Sequence, residues 1–176
     1  MPHADLNSAP AHIAYCPLCG HSLITRQVGD RERRVCPDCG YVHYTDPKVG
    51  VGALVTLDGK VLLVKRIMNP ERGKWSIPAG FLDRGEDPRR TAEREVWEET
   101  GLRVRAGELL DVFTNPPEQG GASIFVLYRA DLLGGELEAG DDAADAAFFA
   151  LDKLPELAFA STRAAIAALS QQNGLE

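Results

Sequence analysis

The chain has 176 residues, which is long enough for one domain with a sizeable core and one small additional module. Its 26 Asp and Glu residues outnumber its 19 Lys and Arg residues, giving a formal net charge of −7. This balance disfavours nucleic acid as a partner, because a phosphate backbone is bound by clustered positive charge. The sequence has no apolar run of about 18 residues and no basic region followed by an apolar core at its start. We therefore expect a cytoplasmic protein that does not enter a membrane.

All four cysteines lie near the start of the chain, in two copies of the pattern Cys-Pro-x-Cys-Gly. Two cysteines three positions apart at a tight turn can direct both sulfur atoms to one cation, and two such turns form a tetrahedral thiolate site of the zinc-ribbon kind. Cys16, Cys19, Cys36 and Cys39 are therefore predicted to bind a structural Zn²⁺. Two disulfides are the alternative, which a cytoplasmic location disfavours.

The cysteine pattern also suggests how the chain is divided. Residues 1–14 are expected to form a flexible N-terminus, and residues 15–45 the zinc ribbon, in which a charged hairpin joins the two cysteine pairs. The turn-forming pair Asp46-Pro47 begins a second domain that occupies residues 46–176. The ribbon is also a candidate docking or dimerisation element, so a homodimer is one assembly to consider.

The second domain is predicted to contain several strands, which share apolar or β-branched runs bounded by turn residues. These strands lie at 48–57, 61–66, 75–78, 109–113, 123–130 and 146–151. Asp58-Gly59 indicates a hairpin turn between the first two, and a loop is expected from Gly80 to Gly85. A turn-rich segment at 115–121 and an acidic loop at 136–145 separate the later strands.

Two helices complete the prediction. The first spans 88–100, because Asp87 can cap it, Pro88 suits its first turn and Gly101 ends it. The second spans 161–170 near the end of the chain. Because strands outnumber helices and their order is mixed, we expect an α+β layered fold with a mostly mixed sheet.

The first helix contains three glutamates within five positions, at Glu95, Glu98 and Glu99. A helix advances about 100° per residue, so the three side chains share one narrow arc of its surface and repel one another. A solvated face of an acidic protein is the simplest interpretation. The alternative is a site for divalent cations, which bind carboxylate oxygens and relieve the repulsion.

The surrounding sequence favours the cation site. From Gly80 the string GFLDRGEDPRRTAEREVWEETGL fits the pattern G-x5-E-x7-R-E-U-x-E-E-x-G-U, in which U is Leu, Ile or Val. The string resembles the signature of the Nudix hydrolases, which split nucleoside diphosphates linked to a further group. The paired cysteines, the Asp-Pro-Lys join at 46–48 and the stretch at 157–161 extend the resemblance to zinc-ribbon FAD and ADP-ribose pyrophosphatases. The resemblance implies a Nudix-type α/β/α sandwich behind the ribbon.

The resemblance also implies roles for particular residues. Glu95, Glu98, Glu99 and the Gly80 carbonyl would bind Mg²⁺ or Mn²⁺, and Arg94 would orient the carboxylates. Glu86 and Gly101 would have structural tasks within the motif. Glu98 is the first candidate for the base that activates water, since a carboxylate beside a metal-bound water can accept its proton. The acidic loop offers other candidates at Asp141, Asp142 and Asp145, among which Asp145 is taken into the catalytic set; a plain solvated turn is the alternative for this loop.

Substrate contacts are less clearly indicated by the sequence. Arg66 and Arg84 could meet phosphates, and Phe81 could stack on a flat ring, whereas surface charge and core packing are the alternative interpretations. The expected reaction is hydrolysis of ADP-ribose or FAD, a small nucleotide substrate, into two monophosphates.

Other substrates and one other class of protein stay open. NADH ranks lower, because residues 103–110 lack the Ser-, Gln-, Pro- and Trp-rich motif of NADH-cleaving relatives. The same chemistry on a nucleoside triphosphate, a nucleotide sugar or a capped RNA is a further alternative. A non-catalytic nucleotide sensor is the alternative of another class, against which the intact set of glutamates argues.

Overall fold

The structure is a computed structural model in which residues 12–115 and 121–172 are described. Most of the expected flexible N-terminus and residues 116–120 of the expected turn lie outside these ranges. The chain forms two compact units that meet in sequence between Asp46 and Pro47. Over the described ranges, no helix is both long and apolar enough to cross a membrane.

The first unit is a small three-stranded antiparallel sheet. Strands β1 (Ile24–Val28) and β2 (Arg31–Val35) form the hairpin predicted between the cysteine pairs, and β3 (Val42–His43) adds a short third strand. Its core is minimal, since Cys16, Leu23 and Cys36 are the buried apolar side chains of one cluster. A core this small is typical of modules that a bound metal stabilises.

The second unit is built on a mixed sheet whose longest path runs β10-β5-β4-β9-β8. Its strands are β4 (Val49–Leu57), β5 (Lys60–Arg66), β6 (Trp75–Ser76), β7 (Ala79–Phe81), β8 (Leu102–Thr114), β9 (Ile124–Gly135) and β10 (Ala143–Ala150). Strands β4 and β9 are parallel, whereas the other pairs are antiparallel. The short strands β6 and β7 pair with β5 and β4. The mixed sheet is therefore confirmed.

Two helices cover opposite faces of this sheet. Helix α1 (Pro88–Thr100) packs Ala92 and Val96 with Val51 and Val55 of β4. Helix α2 (Ala160–Gln172) packs its apolar side chains with Leu54 of the same strand. Since neighbouring strand residues point to opposite faces, β4 contributes to both cores. The α/β/α sandwich, preceded in sequence by a small ribbon, is confirmed.

Local signals located helix α1 correctly. Asp87 has an extended backbone and its carboxylate accepts a hydrogen bond of 2.8 Å from the Arg89 N–H. Gly101 has a φ of 69° in the left-handed region, and its N–H bonds the Trp97 carbonyl at 2.8 Å. These are the N-cap and the glycine C-cap that the sequence predicted.

Three predicted elements differ from the structure. Residues 80 and 81, expected to begin a loop, belong to strand β7, because the segment 79–81 pairs with β4 at Gly50 and Gly52. Strand β8 begins at Leu102, well before the predicted 109–113, since Leu102, Val104 and Ala106 are buried in alternation. Strand β10 begins at Ala143, so Asp145 lies in a strand and not in the acidic loop. Long-range pairing decided each of these boundaries.

Candidate metal and catalytic site

The four cysteine side chains of the first unit converge on one point. Their sulfur atoms all lie within 4.8 Å of one another, with 3.4 Å between Cys19 and Cys39 and 3.5 Å between Cys19 and Cys36. Zn–S bonds of about 2.3 Å in a tetrahedron would separate the sulfurs by about 3.8 Å, so the cage fits Zn²⁺. The Cys39 backbone N–H is the largest influence that lowers the pKa of the Cys36 thiol from 9.0 to about 7. The His21 backbone lowers the pKa of Cys19, but burial and the neighbouring thiols outweigh it and raise that pKa to about 12. The cluster alone thus favours a thiolate at Cys36 and not at Cys19, and a bound cation would favour both.

In the second unit, helix α1 presents Glu95 and Glu99 of the motif towards strand β7. Glu95 and Glu99 are only 7% and 5% exposed, whereas the Glu98 side chain is 33% exposed. Glu99 Oε2 accepts a hydrogen bond of 3.0 Å from the Ala79 N–H of β7. Buried carboxylates of this kind need a positive partner or several hydrogen bonds.

Arg94 links three carboxylates of the motif. Its Nη1 donates to Glu95 Oε1 at 2.6 Å and to Glu98 Oε2 at 2.8 Å, and its Nε donates to Glu86 Oε1 at 2.9 Å. Its Nη2 donates to the Phe81 carbonyl at 3.3 Å. Hydrogen bonding from Arg94 is the main reason why the pKa of Glu86 falls from 4.5 to about 2. Arg94 therefore ties the helix to the loop before it and to the end of β7.

Burial has the opposite effect on the two inner glutamates. It raises the pKa of Glu99 well above 4.5, and the nearby Asp142 carboxyl group raises it further. Burial also raises the pKa of Glu95, although Arg94 partly offsets the increase. Ionisation of Glu95 and Glu99 is thus less favourable in the protein alone than it is in water. Hard divalent cations prefer such an oxygen-rich donor set, so these residues fit Mg²⁺ or Mn²⁺.

The carboxylates do not converge as tightly as the thiolates do. Within residues 12–115 and 121–172, two groups bring three or more ligand atoms within 4.8 Å of one another, namely the four cysteines and the exposed set Cys19, His21 and Asp38. Neither group contains a glutamate of helix α1. Because Arg94 Nη1 bridges Glu95 and Glu98, these side chains have to turn away from it before they can share a cation.

The acidic loop reaches the site through backbone contacts with the end of α1. The Gly140 N–H donates to the Glu99 carbonyl at 3.1 Å, and the Glu138 N–H donates to the Thr100 carbonyl at 3.0 Å. This attachment brings the Asp142 carboxyl group close enough to Glu99 to raise the pKa of Glu99. Asp142 was one of three acidic candidates in the sequence, and only the tertiary contacts distinguish it.

Asp145, which the sequence analysis placed in the catalytic set, is held by local contacts. Its side chain is exposed, and its Oδ1 accepts a hydrogen bond of 2.9 Å from the Ala146 N–H that follows it. It also lies in strand β10, where its backbone pairs with that of Lys65. Asp142 is thus the residue of the predicted acidic loop whose carboxyl group raises the pKa of Glu99.

The predicted substrate-binding residues occupy different surroundings. Arg66, at the end of β5, is engaged within the fold, because its Nε donates to the Pro70 carbonyl at 3.0 Å and its guanidinium lies 4.8 Å from the centre of the Phe159 ring. Arg84 is exposed in the loop before α1. Phe81 is 50% exposed, and Lys48 Nζ lies 5.3 Å from the centre of its ring. Lys48 was not among the predicted site residues.

Two family models match the chain. The model described as NUDIX domain covers residues 46–169, and the model described as Nudix N-terminal, a zinc ribbon, covers residues 14–45. An ADP-ribose pyrophosphatase of Methanocaldococcus jannaschii is 42% identical over 120 residues, which make up 68% of this chain and 71% of that protein.

More distant similarities cover more of the chain. A NAD-capped RNA hydrolase NudC of Chromobacterium violaceum is 32% identical over 146 residues, which are 80% of this chain but 52% of that protein. This chain therefore spans about half the length of that relative. The crystal structure of a NUDIX hydrolase from Nitrosomonas europaea is 32% identical and covers 91% of this chain and 93% of its own, with a TM-score of 0.80. The chain thus belongs to the Nudix hydrolase family and carries the zinc ribbon that its N-terminal family model describes.

Proposed function

We propose that the chain hydrolyses the pyrophosphate of ADP-ribose, giving AMP and ribose 5-phosphate. The observation that carries this proposal is the pair of buried glutamates, Glu95 and Glu99, which burial makes costly to ionise and which face strand β7 on one side of helix α1. The 42% identity to an ADP-ribose pyrophosphatase supports the choice of substrate. FAD, like ADP-ribose, contains a pyrophosphate that is attached to adenosine on one side, so it is the second substrate that we propose.

Glu95, Glu98, Glu99 and the Gly80 carbonyl oxygen would hold Mg²⁺ or Mn²⁺. A divalent cation at this place supplies positive charge that offsets the phosphate oxygens of the substrate. Glu95 and Glu98 can join it after turning from Arg94 Nη1, and Arg94 keeps its contacts with Glu86 and Phe81. Arg94 is then the residue that fixes the start of the helix relative to strand β7.

Hydrolysis needs a group that removes a proton from water. The water oxygen forms a bond to one phosphorus, the bond from that phosphorus to the bridging oxygen breaks, and the bridging oxygen leaves with the other phosphate. We assign the water proton to Glu98, which is the most exposed of the three helix glutamates and is therefore open to solvent. We propose Asp142, instead of Asp145, as the acidic side chain that acts beside the helix glutamates. Exposed Arg84 would contact a phosphate of the substrate.

A second candidate reaction is favoured by the NudC relatives. These relatives are NAD-capped RNA hydrolases, and one of them, from Haemophilus influenzae, is 33% identical over 147 residues of this chain. The reaction would use the same groups on NADH or on a capped RNA end. Nucleoside triphosphates and nucleotide sugars are further substrates of the same chemistry, and a non-catalytic sensor is the alternative of another class.

The test is release of monophosphate from a panel of ADP-ribose, FAD, NADH, NAD-capped RNA, a nucleoside triphosphate and a nucleotide sugar. We expect turnover of ADP-ribose with Mg²⁺ or Mn²⁺, none with EDTA, and a large loss in Glu98→Gln. Preference for NAD-capped RNA would select the second candidate. Absence of turnover on every compound, with intact binding of ADP-ribose, would select the sensor.

The remaining proposals concern location and assembly. We propose that the protein is a cytoplasmic enzyme and that its ribbon binds a structural Zn²⁺. We also propose that it forms a homodimer. Fractionation of cells and light scattering on the purified protein measure these two properties. A monomer at micromolar concentration would remove dimerisation from the proposal.

A further inference from the structure

Helix α1 is attached to the sheet on two sides, and one attachment uses residues that the motif leaves unspecified. Residues 50–52 of β4 pair with both β7 and β9, so these two strands lie along opposite edges of β4, and β8 follows β9. On the β7 side, Glu99 accepts the hydrogen bond from the Ala79 N–H. On the β8 side, the helix is attached through Glu93 and Arg89.

The attachment point on β8 is an irregular part of that strand. Ala106 pairs with Ala130 of β9 and Leu109 pairs with Tyr128, so three steps along β8 match two along β9. The extra residue forms a bulge, which turns backbone groups out of the regular ladder. Over the described ranges β8 ends the sheet path, so another strand does not bind these groups. Side chains of helix α1 bind two of them.

Glu93 and Arg89 supply these two contacts. The Ala106 N–H donates to Glu93 Oε1 at 3.1 Å, and Arg89 Nε donates to the Gly107 carbonyl at 3.3 Å. The Arg89 guanidinium also lies 5.1 Å from the centre of the buried Tyr128 ring of β9. Because Glu93 and Arg89 are four positions apart, they lie on the same side of the helix. This side of α1 is therefore joined to β8 and β9.

These contacts lie away from the glutamates that would bind a cation. About 100° per residue places Glu93 roughly 120° to 160° around the helix from Glu95, Glu98 and Glu99. Neither contact uses a proposed metal ligand, so both can stay in place when a cation binds. Glu95 and Glu98, by contrast, have to leave Arg94 Nη1 before they can share a cation. The β8 side thus keeps the helix in place while the carboxylates rearrange.

The rotation of α1 about its axis decides where these carboxylates point. A side-chain end lies roughly 5–6 Å from the helix axis, so a rotation of about 10° moves it by about 1 Å. A displacement of this size can lower turnover roughly 100-fold in an active site. A contact that limits the rotation therefore contributes to catalysis without touching the substrate or the cation.

We propose that Glu93 and Arg89 are positioning residues for the hydrolysis. By binding the bulge of β8, they fix the rotation of helix α1. This rotation sets the direction in which Glu95, Glu98 and Glu99 meet the cation. The inference rests on the proposed function, since it adds to that reaction two residues outside the specified positions of the motif. The chemical step stays with the helix glutamates.

Substitution of Glu93 tests the contact while preserving the size of the side chain. Glu93→Met removes the acceptor for the Ala106 N–H, whereas Glu93→Gln keeps an acceptor oxygen. At saturating ADP-ribose and Mn²⁺, Glu93→Met should lower kcat roughly tenfold, while KM for ADP-ribose stays within about twofold. Its affinity for Mn²⁺, measured by calorimetric titration, should weaken by about three- to tenfold. Glu93→Gln should retain both kcat and the Mn²⁺ affinity within about twofold.

Arg89→Met is the second variant, at an exposed position that tolerates substitution. It should lower kcat by about threefold, since the contact with Ala106 remains. Arg90→Met is the matched control, because the Arg90 side chain is 77% exposed and its ion pair with Glu93 at 2.8 Å does not involve β8. It should change neither kcat nor the Mn²⁺ affinity.

Ile166→Val controls for a loss of stability alone, since Ile166 is buried against the other face of the sheet. Thermal unfolding should show that Glu93→Met and Ile166→Val both destabilise the second unit, whereas only Glu93→Met lowers kcat of the folded protein.

Two results for Glu93 would overturn the inference, namely unchanged kcat and Mn²⁺ affinity in Glu93→Met or equal losses in Glu93→Gln. If Glu93→Met does not fold, unchanged kcat in Arg89→Met overturns it. A wild-type protein that binds Mn²⁺ but cuts no ADP-ribose would instead overturn the proposed function, and the Mn²⁺ titration would still test the positioning.

Discussion

Gly80 lies against the Glu95 carboxylate so closely that no side chain fits between strand β7 and helix α1. A Cβ atom added to Gly80 would overlap the Glu95 carboxylate group. The obstructing atoms are the end of a flexible side chain, so the carboxylate can move while the backbone stays in place. A single added methyl group therefore tests the position of Glu95 without a change in charge.

Gly80→Ala should lower turnover roughly 10- to 100-fold, because the Glu95 carboxylate is displaced from the position that it holds against Gly80. The apparent affinity for Mn²⁺, measured by titration, should fall with it. Gly107→Ala is the matched control, since its nearest neighbour to an added Cβ is 3.8 Å away. Turnover that is equal in the two variants would contradict the role given to Glu95.

The sequence predicted those parts of the site that depend on neighbours along the chain. Asp87 and Gly101 fix the ends of helix α1, and the helical period then puts the glutamates on one arc. Arg94 reaches Glu98 at the spacing of i and i+4, which the same period explains. These relationships need no knowledge of the sheet.

The remaining features depend on contacts between distant segments. Asp142 approaches Glu99 only because the loop bonds the last carbonyl groups of α1, and no local pattern distinguishes it from Asp141 or Asp145. Strand β7 exists because glycines in β4 allow it to pair there, although its own sequence indicated a loop. The pairing of β4 with β7 also brings Lys48, which directly precedes β4, to Phe81 of β7, although the two residues are far apart in sequence.

Asp142→Asn and Asp145→Asn form a matched pair. The first removes a carboxylate that lies beside Glu99, so we expect turnover to fall roughly 10- to 100-fold and Mn²⁺ binding to weaken. The second removes an exposed carboxylate whose hydrogen bond is local, so turnover should change by less than about twofold. Steady-state kinetics at saturating ADP-ribose, with thermal unfolding to check the fold, measures both. A greater loss in Asp145→Asn would restore the assignment made from the sequence.

The zinc ribbon depends on its thiolates more than on its small core. Replacing Cys16 and Cys19 by Ser should reduce bound zinc from about one per chain to almost none, and should expose the backbone amides of β1–β3 to rapid hydrogen exchange. Leu18→Ser is the control, because Leu18 lies in the same turn and is 75% exposed. Metal analysis and exchange mass spectrometry give the two measurements. Retention of one zinc by the double variant would refute the four-thiolate cage.

Glu86 and Arg94 should make the second unit sensitive to acid. Arg94 holds the folded-state pKa of Glu86 at about 2, below the ordinary value of 4.5, so the pair stabilises the fold above about pH 4.5 and this stabilisation is lost as the pH falls towards 2. Glu86→Gln should therefore lower the free energy of unfolding by about 2 kcal/mol at pH 7, and the difference from wild type should shrink as the pH approaches 3.

Urea unfolding followed by tryptophan fluorescence measures this difference, because both tryptophans, Trp75 and Trp97, belong to the second unit. Glu108→Gln is the control, since the Glu108 side chain is 71% exposed and its contact with Arg129 is 3.6 Å, so its loss should cost less than about 0.5 kcal/mol. A loss in Glu86→Gln that is the same at pH 3 and pH 7 would show that Glu86 acts through its shape and not through its charge.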